Sequence, residues 1–119
     1  MPARLRLADP QAVAAAVDRF RAGSHDAADA RLLTKHLLAV LVAKAPGGAV
    51  EVRVPPYAVA QCVAGTRHTR GTPPAVVETD PETWIALALG DLDWKQAQDA
   101  GRLRASGERS DLTPLLPLA

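Results

Sequence analysis

Asp80-Pro81 fixes a boundary the rest of the chain must respect, because it closes one kind of structure and opens another. An Asp carboxylate caps the free N–H groups of a helix, and Pro fits the first helical position, where no donor is needed. Just before it, Ala75-Val76-Val77 is a short apolar run of strand type, preceded by a polar, basic stretch from Gly65 to Pro74. In that stretch Arg67, His68 and Arg70 are spaced by hydroxyl residues and followed by Gly71, Thr72 and Pro73-Pro74. Loop, strand and capped helix thus succeed one another between Gly65 and Pro81, and the densest polar cluster of the chain falls in the loop.

The same punctuation recurs along the chain. Asp9-Pro10 opens a segment in which Val13, Ala16, Val17 and Phe20 fall at i, i+3, i+4 and i+7, which predicts an amphipathic helix from about Pro10 to Arg21, ended by Gly23. Asp26 caps a second helix, Ala27 to about Lys44, with Leu33, Leu37, Val40 and Leu41 at helical spacing and Asp29, Arg31 and Lys35 on the wet side. A short polar turn between the two predicts an antiparallel helical hairpin. Pro46-Gly47-Gly48 breaks the second helix, and Val50, Val52 and Val54 then alternate with Glu51 and Arg53 as a half-buried strand. Pro55-Pro56 ends that strand, since neither residue can donate to a ladder. Tyr57 to Ala64 reads as a second strand, with Ala58, Ala60 and Cys62 on one face, and Ala75 to Thr79 as a third.

After Asp80-Pro81 comes a helix carrying Trp84, Ile85, Leu87, Ala88 and Leu89, closed by Gly90. Asp93 caps a shorter one, Trp94 to Ala100, stopped by Gly101, and Arg102 to Ser106 alternates as a last strand before Gly107. Leu112 to Leu118 reads as a short helix or an apolar flap. The order α-α-β-β-β-α-α-β predicts an α+β fold, a sheet covered by helices. It is read as a single domain, with a loose arm at 1–8, a helical hairpin at 9–45, and sheet, helices and tail at 49–118.

Composition acts mainly by exclusion. A chain of 119 residues suits one core, and with aromatics at 3% that core must be built from Ala, Val and Leu. A net charge of +1 supplies no bulk attraction to nucleic acid or an anionic membrane, and the apolar stretches are too short to span a bilayer. The basic start, Met1 to Leu7, leads into no apolar segment of the kind a secretory signal carries. The lone Cys62 excludes an internal disulfide and suits a reducing compartment, so a soluble cytoplasmic protein is expected.

The second half is similar to a known pattern. A helix closing on Leu89-Gly90, a short helix, then Ala100-Gly101-Arg102-Leu103-Arg104-Ala105-Ser106-Gly107 resembles the C-terminal signature of the sterol carrier protein family. Arg53-Val54-Pro55-Pro56-Tyr57, Arg67-His68-Thr69-Arg70-Gly71-Thr72-Pro73-Pro74, Val77-Glu78-Thr79-Asp80-Pro81 and Ser106-Gly107-Glu108-Arg109 look like its small stand-alone bacterial members. The resemblance covers about Val50 to Leu118. It implies a mixed sheet covered by helices, with an apolar tunnel between them that takes fatty acyl chains or sterols. The same fold also occurs as an appended module in some bacterial thiol-dependent isomerases, which implies an accessory role as the alternative.

The basic loop is the first candidate site. Arg forks and backbone N–H groups near Gly71 suit a carboxylate or phosphate, with His68 adding pH sensitivity; equally, Arg67 and Arg70 suit pairing with Glu78, Asp80 or Glu82 to brace the loop. Ligand contacts are accordingly assigned to Arg67, His68, Arg70 and Thr72, together with Tyr57, Glu78 and Trp84. Trp84 suits either a cavity wall or plain core packing, whereas Trp94 is assigned to the core. Cys62 and His68 lack an orienting third group, and His25, His36 and His68 lack partners at ligand spacing, so neither catalysis nor a metal or other cofactor is expected. His36 is read as partly buried packing.

The expected function is a small binding protein. It would hold a lipid or other apolar or amphipathic small molecule between sheet and helices, its head group beside Arg67, His68 and Arg70. The alternative is a non-catalytic accessory or protein-interaction domain with no ligand of its own. The tail residues Leu112, Leu115, Leu116 and Leu118 suit a lid, a cap on the sheet or a homodimer contact.

Overall fold

A computed structural model describes residues 5–65, 75–107 and 110–118. The elements are α1 (Pro10–Arg21), α2 (Ala27–Lys44), β1 (Val50–Val54), β2 (Ala58–Cys62), β3 (Ala75–Thr79), α3 (Pro81–Leu89), α4 (Trp94–Asp99) and β4 (Leu103–Ser106), followed by a 3-10 turn at Thr113–Leu115. The strands form one mixed sheet in the order β2-β1-β3-β4. Strand β1 runs antiparallel to β2, with Val52 opposite Ala60, and parallel to β3, with Val52 opposite Val77. Strand β4 closes the far side antiparallel to β3, with Val77 opposite Ala105. This is the α+β sheet-and-helix arrangement expected of the sequence, and each predicted helix and strand is present.

Each helix begins where an aspartate supplies its cap. Asp9 accepts the Ala12 N–H, Asp26 those of Ala28 and Asp29, and Asp93 that of Gln96. Asp80 accepts both the backbone N–H of Thr83 and its hydroxyl, at 3.0 and 2.6 Å. The α1–α2 hairpin is tied by a two-pronged Arg19–Asp29 contact of 2.7 and 2.9 Å, and Arg21 reaches Asp91 in the same manner beyond α3. Both pairs are exposed, so they orient more than they stabilise.

Among the described residues, helices and tail cover one face of the sheet. Val50, Val52, Val54, Ala60, Cys62, Ala75, Val77 and Leu103 point into a core completed by Leu33, Leu37, Leu38 and Leu41 of α2 and by Trp84, Ile85, Leu87 and Ala88 of α3. The alternate positions Glu51, Arg53, Val59, Gln61 and Arg104 face outward or lie half-buried. With small aliphatic side chains throughout, close approach has to substitute for bulk. The indole of Trp84 is the one large aromatic fully inside, and its Nε1–H donates to the Thr34 carbonyl at 3.3 Å. The tail closes the bottom of this core: Leu112 is buried, and the Leu118 N–H donates to the carbonyl of Ala88, one of the acceptors a helix leaves open at its C-terminus.

The α2–β1 connection is pressed against the end of β2. The Val63 N–H donates to the Ala45 carbonyl, the Ala49 N–H donates to the Val63 carbonyl, and Val63 takes a left-handed φ of 68°. Gly47, at φ +147°, lies so close that a Cβ there would collide with the Val63 backbone. Gly23 has a φ of +94° but open space around it. Gly47→Ala is therefore expected to cost about 3 kcal/mol, strain and overlap together, against about 1 kcal/mol for Gly23→Ala. Urea unfolding of the two variants measures the difference.

Candidate functional site

A groove of about 780 Å³ lies where α2 meets the β2 edge of the sheet. Such a volume lies within the range of about 300–1,000 Å³ typical of small-molecule sites. Its floor is aliphatic: Leu32 and Ala28 from α2, and Ala58 and Val59 from β2. Its outer wall is the extended segment Leu5–Ala8, which contributes Leu5 and Leu7. Around this apolar lining stand Arg6, Arg31, Lys35, His36 and Tyr57.

The sequence builds this site from a second stripe on α2. Ala28, Arg31, Leu32 and Lys35 are spaced i, i+3, i+4, i+7, one helical face, while Leu33, Thr34, Leu37, Leu38 and Leu41 form the neighbouring face that enters the core. One helix therefore serves two surfaces. On the other side, the Val54–Tyr57 turn, closed by the Tyr57 N–H on the Val54 carbonyl at 3.0 Å, sets Tyr57 at the mouth and starts β2 along the floor.

A hydrogen bond to a side chain anchors the outer wall: the Ala8 N–H donates to Nδ1 of His36 at 2.9 Å. An Nδ1 that accepts must carry its proton on Nε2, so this contact requires neutral imidazole. Burial of the ring lowers its pKa from the ordinary 6.5 and favours that neutral form. Among the described residues, the charged groups sharing the groove are the cations Arg6, Arg31 and Lys35.

The residues assigned to ligand from sequence are dispersed. Arg67, His68, Arg70 and Thr72 lie outside the described residues. Tyr57 lines the groove. Glu78 lies on β3, opposite Arg53 of β1 and Arg104 of β4, and lines a small cleft of about 290 Å³ with Arg102 instead. Trp84 is 1% exposed, packed in the core, and takes no part in the groove wall. The residues bounding the basic loop, Gly65 and Ala75, leave the sheet at the Val50 end, whereas Tyr57 to Val59 line the groove at the Val54 end. The first residues, expected to be a loose arm, supply the groove's outer wall from Leu5 to Ala8. Arg6, Arg31, Lys35 and the anchoring role of His36 were not singled out from sequence; the i, i+3, i+4, i+7 spacing on α2 was the available signal.

Cys62 is buried, and burial pushes its thiol up to about 11, so it stays protonated near neutrality.

The fold is thus an α+β domain with helices on one face of a mixed four-stranded sheet. A family model described as bacterial SCP ortholog matches residues 26–118, from the cap of α2 to the end of the tail, and the chain belongs to this sterol carrier protein-like family. Helix α1 and the segment that walls the groove precede the matched span. A search among curated proteins finds no match.

Two outcomes follow from the geometry. Because the folded pKa of His36 is depressed, the Ala8–His36 contact is fully present above pH 6.5 and is lost as the pH falls from 6.5 through the lower folded value. The hydrogen-exchange protection factor of the Ala8 amide should fall over that window, and should be low and pH-independent in His36→Leu. Cys62 should resist a thiol reagent in the native protein and react only on unfolding, which mass spectrometry with and without denaturant reads directly.

Proposed function

We propose that this protein is a non-catalytic carrier that holds a lipid or other amphipathic small molecule in the groove between α2 and β2. One observation carries the reading: a space of about 780 Å³ whose floor is aliphatic and whose charged groups, among the described residues, are cationic. The apolar part of a ligand would lie on Leu32, Ala58 and Val59, where water-excluded area drives binding. Its head group would sit beside Arg31, Lys35 and Tyr57, where guanidinium and ammonium donors favour an anion. Membership in a sterol carrier protein-like family supports the ligand class. The protonated, enclosed state of Cys62 supports a carrier over a thiol enzyme. No helix among the described residues is long and apolar enough to cross a membrane. A lone, buried cysteine fits a cytoplasmic setting.

Long-chain fatty acid added to the purified chain should give a one-to-one complex by native mass spectrometry. Leu32→Asp, which puts a charge on the floor, should weaken binding at least about tenfold, the equivalent of about 1.4 kcal/mol. Arg104→Gln, on the distant β4 strand, should leave it unchanged. An unaltered apo mass in the presence of acyl chains would support the accessory-domain alternative instead.

A further inference from the structure

The segment 5–8 is set apart from the rest of the described chain by how it is held. It lies outside every helix and strand and precedes α1, whose cap Asp9 is committed to the Ala12 N–H. Among the described residues, no backbone–backbone hydrogen bond reaches it. Leu5 packs partly buried against the core, Arg6 and Leu7 are exposed, and Ala8 gives its N–H to Nδ1 of His36 at 2.9 Å. The segment thus rests at its first residue on an apolar contact and at its last on a hydrogen bond with a titratable acceptor. Between those two points it walls the groove.

From this arrangement we infer that the segment 5–8 is a pH-operated strap, closed over the groove near neutrality and released in mild acid. Protonation of His36 acts twice in the same direction. An imidazolium carries a proton on both nitrogens, so Nδ1 no longer accepts from Ala8. It also adds a positive charge beside Arg6 of the strap, Arg31 and Lys35 of α2 and the phenol of Tyr57, and among the described lining residues no carboxylate offsets it. Arg6, which travels with the strap, is repelled. Above pH 6.5 the Ala8–His36 bond is fully formed, and it is lost as the pH falls from 6.5 through the lower value that burial gives the ring. Asp9 stays fixed as the α1 cap, so the strap swings about the Ala8–Asp9 link and leaves the helix intact. An open strap widens the mouth and speeds exchange of the groove's contents. That last step rests on the carrier reading, whereas release of the strap does not.

The test reads strap and groove separately. A nitroxide on Leu7→Cys reports the strap in the ligand-free full chain, since Leu7 is exposed while Cys62 is buried and stays unlabelled. Its electron paramagnetic resonance spectrum should pass from slow to fast motion as the pH is lowered from about 7.5 to about 5, the range in which histidine titrates. The change should be absent from His36→Gln, whose amide oxygen accepts the Ala8 N–H without titrating, and complete at every pH in His36→Leu. A pyrene-labelled long-chain alcohol has no titratable group of its own. Its release into excess phosphatidylcholine vesicles should quicken about fivefold over the same window, the equivalent of one hydrogen bond. In His36→Gln the release rate should be independent of pH. Circular dichroism confirms that each variant keeps its fold across the range. An invariant nitroxide spectrum, or the same acid response in His36→Gln, would overturn the strap. A loosened strap with a pH-independent release rate would overturn its control of the groove. A chain whose strap loosens in acid but which takes up no alcohol would sink the carrier reading and leave the strap standing.

Discussion

Helix α2 is the constraint on which the rest depends, because α1, α3 and β2 all pack against it. Its inner stripe of Leu33, Leu37, Leu38 and Leu41 is almost wholly removed from water, and such side chains contribute about 1.5–3 kcal/mol each when buried. A chain so short of aromatics has few other ways of filling space between a helix layer and a single-faced sheet. Trp84 is the exception, and it is fixed by packing and by the reach of its indole to the α2 backbone at Thr34. That contact couples the helix after β3 to the helix before β1, so the two halves of the chain share one core. A rotation of α2 by one residue, about 100°, would turn the core leucines toward the groove and carry the groove stripe away from the β2 edge.

Most of the fold was legible because local signals agreed. The four Asp caps, the Gly stops and the alternation of valines place helices and strands within one or two residues of their observed ends. What periodicity could not supply was strand order: nothing in the alternation of β1 says that β3 will pair with it in parallel while β2 takes its other edge. The candidate site was less legible for the same reason. Dense polar residues draw the eye to Arg67, His68 and Arg70, whereas the groove is assembled from residues far apart in sequence, each ordinary alone. Leu5 to Ala8 carries no periodic signal, and Arg31 and Lys35 look like a wet helix face until the β2 edge is set beside them. Trp84 shows the converse: a rare aromatic suggests a pocket wall, but in a core of small side chains bulk is itself in demand.

Val63 marks where local preference yields to tertiary contact. A β-branched residue at positive φ is disfavoured, yet here its N–H and its carbonyl are both claimed by the α2–β1 connection. The strain is thus held in place by hydrogen bonds on either side and by a glycine, Gly47, that alone can come so near. This brace fixes the last turn of chain after β2 independently of whatever the basic segment beyond Gly65 contacts.

The distribution of chromophores gives the molecule two optical channels. Both tryptophans, Trp84 and Trp94, are buried away from the groove, while Tyr57, the only tyrosine, lies at its mouth. Indole emission excited above the phenol band consequently follows the integrity of the core, while phenol absorbance follows the surroundings of the groove mouth, so the two regions can be observed separately in a single unlabelled sample.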